Sequence, residues 1–407
     1  MKDHSEFSPH QIDVIPWQRG RTKPAFLATL FFAFLRLGLT AFGGPAMVAY
    51  IRDLAVRKNG WLSEESFRDG VAICQTIPGA TAMQAAAYAG LRAAGPLGAV
   101  ATYVGFGLPA FVLMVVLSAV YSRVHGLPAV ISLFNGLQVI VVAIVANATL
   151  NFGRRTIQRW QDVLLGLASA GFLAAGGSPI IAIAASALAA ILLYLRLDLT
   201  RPGAQKPQTA GALRLLYPAL VMTALLAVLV AVLFFWRRDL FDLSLLMLRV
   251  DMFAFGGGYA SVPLMLHEVV AVRHWMDSRV LMDGIALGQV TPGPIVITAT
   301  FVGYLLAGIP GALVGTVSIF SPSLIILTAA VPYFDRLQHN AVIQRALRGA
   351  LVSFVGLLLA VAIRFSLVIP WSPAAVLIAV GALAAFRLKV DILWVVLAGA
   401  VVSALVL

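Results

Sequence analysis

Arg36-Leu37-Gly38-x3-Phe42-Gly43-Gly44-Pro45 and, 213 residues later, Arg249-x5-Phe255-Gly256-Gly257 are two copies of one phrase. Each ends an apolar run with paired glycines. The match extends outward from there. Trp61 returns as Trp275, Asp69-Gly70 as Asp283-Gly284, Gln75 as Gln289 and Pro78-Gly79 as Pro292-Gly293, all 214 apart. Gly90, Gly98-Ala99, Pro109 and Gly136 then match Gly303, Gly311-Ala312, Pro322 and Gly349 at 213 again. An ordered series with one single-residue slip marks a tandem duplication.

The material being duplicated is apolar. Of 407 residues, 61% are hydrophobic and 11% charged, where an ordinary soluble domain carries about 25% charge. A spanning helix takes about 20 apolar residues, so a dozen spans with short loops use up the chain. The fold class expected is an all-α polytopic membrane protein. A soluble enzyme, a disordered chain and a secreted disulfide scaffold are excluded. The formal charge of +12 sits mostly in short loops, where it orients the spans. No basic stretch is long or interleaved with aromatics, so nucleic acid is not an expected partner. The single cysteine, Cys74, rules out disulfide frameworks and thiolate metal sites. GxxxxGK[ST] is absent, and His267-Glu268 lacks the second His of HExxH, so no nucleotide motor, zinc centre or cofactor is expected.

The runs divide the chain into a polar cytoplasmic N-terminal segment (1–24), a first repeat (25–197), a polar linker (198–213), a connecting helix (214–236) and a second repeat (241–407). Arg19, Arg21 and Lys23 precede the first run, which is too long for a signal-peptide core and reads as an uncleaved helix. Each half holds six runs, among them 68–92 and 279–306. The odd connecting helix makes the second half enter from the opposite side, an inverted repeat; a parallel duplication is the alternative. Arg52, Arg57 and Lys58, and also Arg237 and Arg238, contradict this count, which places them outside. A re-entrant run or a count wrong by one would account for that.

Two kinds of break lie inside each half: Phe-Gly-Gly at 42–45 and 255–259, and Pro-Gly at 77–79 and 291–294. Proline removes a helical hydrogen bond and paired glycines release the backbone. In a bilayer, unwound backbone survives only where protein buries it or a watery cavity meets it. The half-helix after such a break offers free N–H groups to an anion. The alternative is a set of kinks for close packing. The candidate substrate-binding set is Arg36, Gly43, Gly44, Pro45, Gln75, Thr76, Pro78 and Gly79 in the first half. In the second it is Arg249, Gly256, Gly257, Gly258, Gln289, Thr291, Pro292, Gly293 and Pro294. Arg36 and Arg249 either meet an anion or snorkel, and the Gln and Thr side chains either donate to substrate or bridge helices. Asp251 is a proton carrier or a counter-ion of Arg249. Asp69 and Asp283 read as helix N-caps or as proton-coupling sites. Gly311-x3-Gly315 reads as close helix packing.

These motifs resemble the chromate ion transporter family, specifically its long, two-domain members. The residues carrying the resemblance are Arg36-Leu37-Gly38-x3-Phe42-Gly43-Gly44-Pro45, Asp69-Gly70-x4-Gln75-Thr76-Ile77-Pro78-Gly79, Phe255-Gly256-Gly257-Gly258-Tyr259-x3-Pro263 and Gln289-Val290-Thr291-Pro292-Gly293-Pro294. It extends from about residue 25 to the end. It implies an inner-membrane carrier that exports chromate with energy from the proton gradient and confers chromate resistance. The expected partners are chromate or a related oxyanion and the lipid bilayer, with a homodimer open. Pro78-Gly79-Ala80 departs from the full Pro-Gly-Pro of the second half, which bears on whether both halves meet substrate equally. Sulfate has chromate's shape and charge, so an oxyanion permease remains the alternative. A membrane enzyme would need a nucleophile or metal cluster inside one span, and a scaffold would not need symmetric breaks.

Overall fold

The computed structural model describes residues 23–42, 46–195, 212–333 and 340–406. Gly43, Gly44, Pro45, the N-terminal segment up to residue 22 and the linker up to residue 211 lie outside that range, so expectations placed there have no structural counterpart.

Among the described residues the chain is helix and turn. The first half comprises α1 (Lys23–Thr40), α2 (Ala46–Arg52, widening into a π-turn stretch Asp53–Lys58), α3 (Glu64–Thr76), α4 (Thr81–Val124), α5 (Pro128–Thr156), α6 (Trp160–Ala174) and α7 (Pro179–Leu193). The connecting helix is α8 (Ala212–Trp236). The second half repeats the series as α9 (Arg238–Met252), α10 (Ser261–Met265, with a π-turn continuation Leu266–Val272), α11 (Ser278–Val290), α12 (Thr298–Ala330), α13 (Ala341–Val368), α14 (Pro373–Arg387) and α15 (Ile392–Val406). Five of these stretches are long and apolar enough to cross a membrane. Phe32, Leu192, Leu225 and Leu377 face outward, as a lipid-facing perimeter requires. The protein is a multi-pass membrane protein.

Proline-glycine breaks fold each half into hairpins. Helix α4, 44 residues as one stretch, leaves helical geometry at Ala94 and Gly95, and α12 does so at the equivalent Ala307 and Gly308. Each is a pair of antiparallel arms. Thr102 Oγ1 donates to Ala86 O at 2.8 Å across the first pair, and Thr300 meets Thr316 at 2.6 Å across the second. The arms nearly touch: a Cβ on Gly90 would lie 2.2 Å from Gly98 O, and one on Gly311 2.0 Å from Gly303 O. A Cβ on Gly315 would likewise lie 2.6 Å from Ala299 O, the close packing read from the sequence.

A second hairpin precedes it. Helices α3 and α11 have 13 residues each, about 20 Å of rise against a hydrocarbon core of roughly 30 Å. Each turns back on the arm that follows, with Gly70 against the Tyr88 ring and Gly284 against the Phe301 ring. These are re-entrant hairpins, with tips at Pro78-Gly79 and Pro292-Gly293. The runs 68–92 and 279–306 are therefore each broken at the Pro-Gly that the sequence marks, because the prolines deny the helix its next hydrogen bonds.

The halves are interlocked and opposed. Helix α13 lies between α6 and α7 of the first half, and α5 packs against α14 and α15 of the second. The C-terminal end of α5 (Arg155, Thr156) and the N-terminal turns of α13 (Gln344, Leu347) face one cavity, while Gly153 meets Val355. Helices α5 and α13, equivalent through Gly136 and Gly349, thus run antiparallel, the arrangement of an inverted repeat.

Two expectations need correction. Asp69 and Asp283 do not cap their helices, which begin earlier: Ser63 accepts from Ser66 N and Asp277 from Val280 N. Both aspartates lie within the helix body. Arg52, Arg57 and Lys58 do not lie opposite the N-terminal face either. Helix α2 packs on α4, and the turn after it brings Trp61 onto Phe26, near the start of α1, and onto Phe34. The polar, amphipathic α2 was invisible to a hydropathy count. Arg237 and Arg238 stay on the opposite face, where Asp239 pairs with Arg237 and the Phe234 ring lies under Arg238.

Candidate functional site

The two hairpin tips cross over to the opposite half. Gly79 takes φ +109° and Gly293 φ +125°, a region side chains avoid. With that geometry each tip aims its backbone N–H at the unwound segment of its counterpart. Gly79 N donates to Ala254 O at 2.9 Å, and Gly293 N donates to Ala41 O at 3.2 Å. Ala254 and Ala41 are equivalent residues, each just before a Phe-Gly-Gly break, so the exchange is reciprocal.

Beside the first tip lies a cavity of about 280 Å³. It is lined by Gln75 and Thr76 at the end of α3, Arg155 and Gln158 at the end of α5, Phe255 at the second-half break, and Gln344 and Arg348 near the start of α13. Arg348 is held in place: Nε and Nη2 donate to the Asp162 carboxylate at 3.2 and 2.7 Å. Arg155 is exposed and makes no ion pair among the described residues. The arrangement presents positive charge, amide donors and a hydroxyl to one space, suited to a small anion.

Asp251 is fully buried beside this tip. Its Oδ2 accepts from Ser323 N at 2.7 Å and from the Ser323 hydroxyl. Its Oδ1 has no partner and faces Gly79. Asp283, buried with 6% exposure, is engaged at both oxygens. Tyr121 Oη donates to its Oδ2 and Gln138 Nε2 to its Oδ1, both at 2.8 Å. Asp69, its repeat partner, is exposed.

The family model described as Chromate transporter matches residues 28–191 and again 241–404. The chain belongs to the chromate transporter family. It is 44% identical over 387 residues to an uncharacterised transporter of Methanocaldococcus jannaschii, covering 95% of this chain and 96% of that one. It is 31% identical to a chromate transport protein of Pseudomonas aeruginosa, covering 82% and 80% of the two chains. It is 30% identical to a chromate transport protein of Cupriavidus metallidurans, covering 81% and 80%. No solved structure matches it.

In this family member the residues singled out from the sequence separate into groups. Gln75 and Thr76 line the cavity, and Pro78 and Gly79 form the tip beside it. Gly256 approaches its wall, since a Cβ there would meet Phe152 and Leu351, whereas Gly257 lies beside Thr81 and Gly258 packs on Ile295 and Val296. Thr291, Pro292, Gly293 and Pro294 are buried, with Thr291 Oγ1 donating to Gly288 O. Gln289 is part-buried beside Tyr259. Arg36 and Arg249 are exposed on their helices and do not line the cavity; Arg36 shares its face with Phe32 and Leu39. Arg249 and Asp251 form no ion pair; the partner of Asp251 is Ser323. By sequence alone, Arg155 and Arg348 belong with the loop charge that orients the spans. Nothing in the sequence pairs Asp162 with a residue 186 positions away.

Proposed function

We propose that this protein is a secondary transporter that exports chromate, a tetrahedral oxyanion, across the cell's inner membrane. The observation carrying the proposal is the basic, amide-lined cavity at the first hairpin tip, which opens where α5 ends and α13 begins. That face also holds Arg154, Arg159 and Arg345, and the arginine-rich face of a membrane protein is the cytoplasmic one. An anion is therefore loaded from the cytoplasm, with the N-terminus on the same side. Across a membrane negative inside, outward movement of a dianion is favoured by about 4.6 kcal/mol per 100 mV. We assign the closed side to Asp283, held by Tyr121 and Gln138; alternating access then requires these contacts to open as the cavity closes.

Asp251 is the residue we assign to proton coupling. It is the buried carboxylate with a free oxygen beside the tip, so a proton there and the tip's position act on each other. Sulfate fits the same cavity chemistry, and an oxyanion permease is the second reading. Expression in a chromate-sensitive cell separates them. Export lowers cellular chromium and raises resistance; uptake does the reverse; no change with correctly inserted protein rejects both.

A further inference from the structure

We infer that Arg155 and Arg348 divide the recognition of the oxyanion, Arg155 supplying net charge and Arg348 supplying hydrogen bonds of fixed direction, with Asp162 and Tyr194 as positioning residues. The inference rests on the proposal that the cavity takes an oxyanion. It begins from Asp162, which is 0% exposed and saturated with donors. One oxygen accepts from the Tyr194 hydroxyl and from Arg348 Nε. The other accepts from Arg348 Nη2 and from the backbone N–H groups of Gln158 and Arg159, at 2.9 and 3.0 Å. Five donors on one carboxylate leave no lone pair free, so Asp162 is a fixed anchor. It belongs to α6 of the first half and Arg348 to α13 of the second, so the anchor forms only where the halves interlock.

The pair Asp162–Arg348 is neutral as a unit. Asp162 engages Nε and one Nη2 hydrogen of Arg348, while the Nη1 edge stays unused by it. Arg348 is 17% exposed and lines the cavity, with the Tyr194 ring 5.1 Å from its guanidinium carbon. It is thereby a planar donor held at one angle, the form in which guanidinium recognises oxyanions. Because its charge is already compensated, it does not trap a dianion, and a carrier must release what it binds. Arg155, without an ion pair among the described residues, supplies the uncompensated charge at the mouth.

Among the described residues this arrangement occurs once. The repeat equivalents of Arg155, Arg348 and Asp162 are Val368, Asn135 and Ala375, none of which can do the same. The symmetric scaffold thus carries this residue set on one face and not at the equivalent positions of the other.

The test is initial-rate chromate transport by the full chain in inverted membrane vesicles, at varied ionic strength. Arg155→Gln raises KM about tenfold, as loss of a charge-assisted contact does, and flattens the salt dependence; Arg155→Lys restores both. Arg348→Lys keeps its charge and the salt dependence but also raises KM about tenfold, because an ammonium cannot hold Asp162 and present a planar edge together. Tyr194→Phe, a milder change that keeps the helix packing, raises KM about threefold with Vmax unchanged, a split that a purely structural role would not give. Wild-type KM in Arg155→Gln and Arg348→Lys, with chromate still transported, overturns this inference alone. A wild-type chain that moves no chromate overturns the proposed function and this inference together.

Discussion

The two hairpin tips make the same backbone bond and live in different chemistry. Gly79 donates to Ala254 O with Asp251 and Ser323 beside it, and the cavity lies next to the preceding turn. Gly293 donates to Ala41 O, and its near neighbour is the methyl group of Ala110. The residues equivalent to Asp251 and Ser323 are Gly38 and Ala110, so the polar partners have no counterpart in the first half. Conversely, Asp283 is clamped by Tyr121 and Gln138, whereas Asp69 is exposed. Duplication fixed the backbone geometry of both tips. Under the proposed function, ligand chemistry belongs to the first tip and closure to the second.

The widest gap between the tips appears on removing their glycines. A Cβ at Gly79 would lie 1.8 Å from Ser323 Oγ and 3.0 Å from Asp251 Oδ1, besides adopting a strained backbone. Gly79→Ala is expected to lower transport at least tenfold and stability by about 2–3 kcal/mol. Gly293→Ala meets only Ala110, at 2.9 Å, and is expected to cost about half as much. Vesicle transport together with thermal unfolding in detergent measures both, and equal effects would break the comparison.

Asp251→Asn comes next. It keeps the shape and a partner for Ser323 while removing the titratable oxygen. The expected result is chromate exchange at near wild-type rate with the response to an imposed pH gradient lost. An unchanged response removes Asp251 from the coupling role.

Tyr121→Phe withdraws one of two hydrogen bonds from a buried carboxylate, at a cost of about 1–3 kcal/mol. It is expected to loosen the closed side and leave the cavity intact. Hydrogen exchange should accelerate in α11 and stay unchanged at the start of α13. Arg36→Gln and Arg249→Gln are expected to have the smallest effect, less than twofold on KM, because both side chains are exposed and neither lines the cavity.

The duplication, the paired breaks and the opposed halves were legible because glycine and proline at fixed spacing state a backbone requirement directly. The re-entrant α2 was not legible. Arg52, Asp53, Arg57 and Lys58 make it too polar for a hydropathy signal, although Met47, Ile51 and Ala55 bury one face. The cavity proposed for the anion was half legible. Gln75 and Thr76 adjoin a break and drew attention for that reason. Arg155 and Arg348 lie at helix ends among other arginines, and their sequence context is that of orienting charge. Their meaning depends on Asp162 arriving from another half, a contact that local pattern does not encode. Arg36 and Arg249 show the converse: proximity to a break along the chain is not orientation toward it, since three residues turn a helix through most of a revolution.

The central claim is that one anion site exists, open to the arginine-rich face. Its most direct test places a single thiol in the cavity, Gln344→Cys in a Cys74→Ser chain, and reacts it with a membrane-impermeant thiol reagent. The account predicts labelling in inverted vesicles, slowed by chromate, and little labelling from outside intact cells. Labelling from outside, or labelling that chromate leaves unchanged, would contradict it.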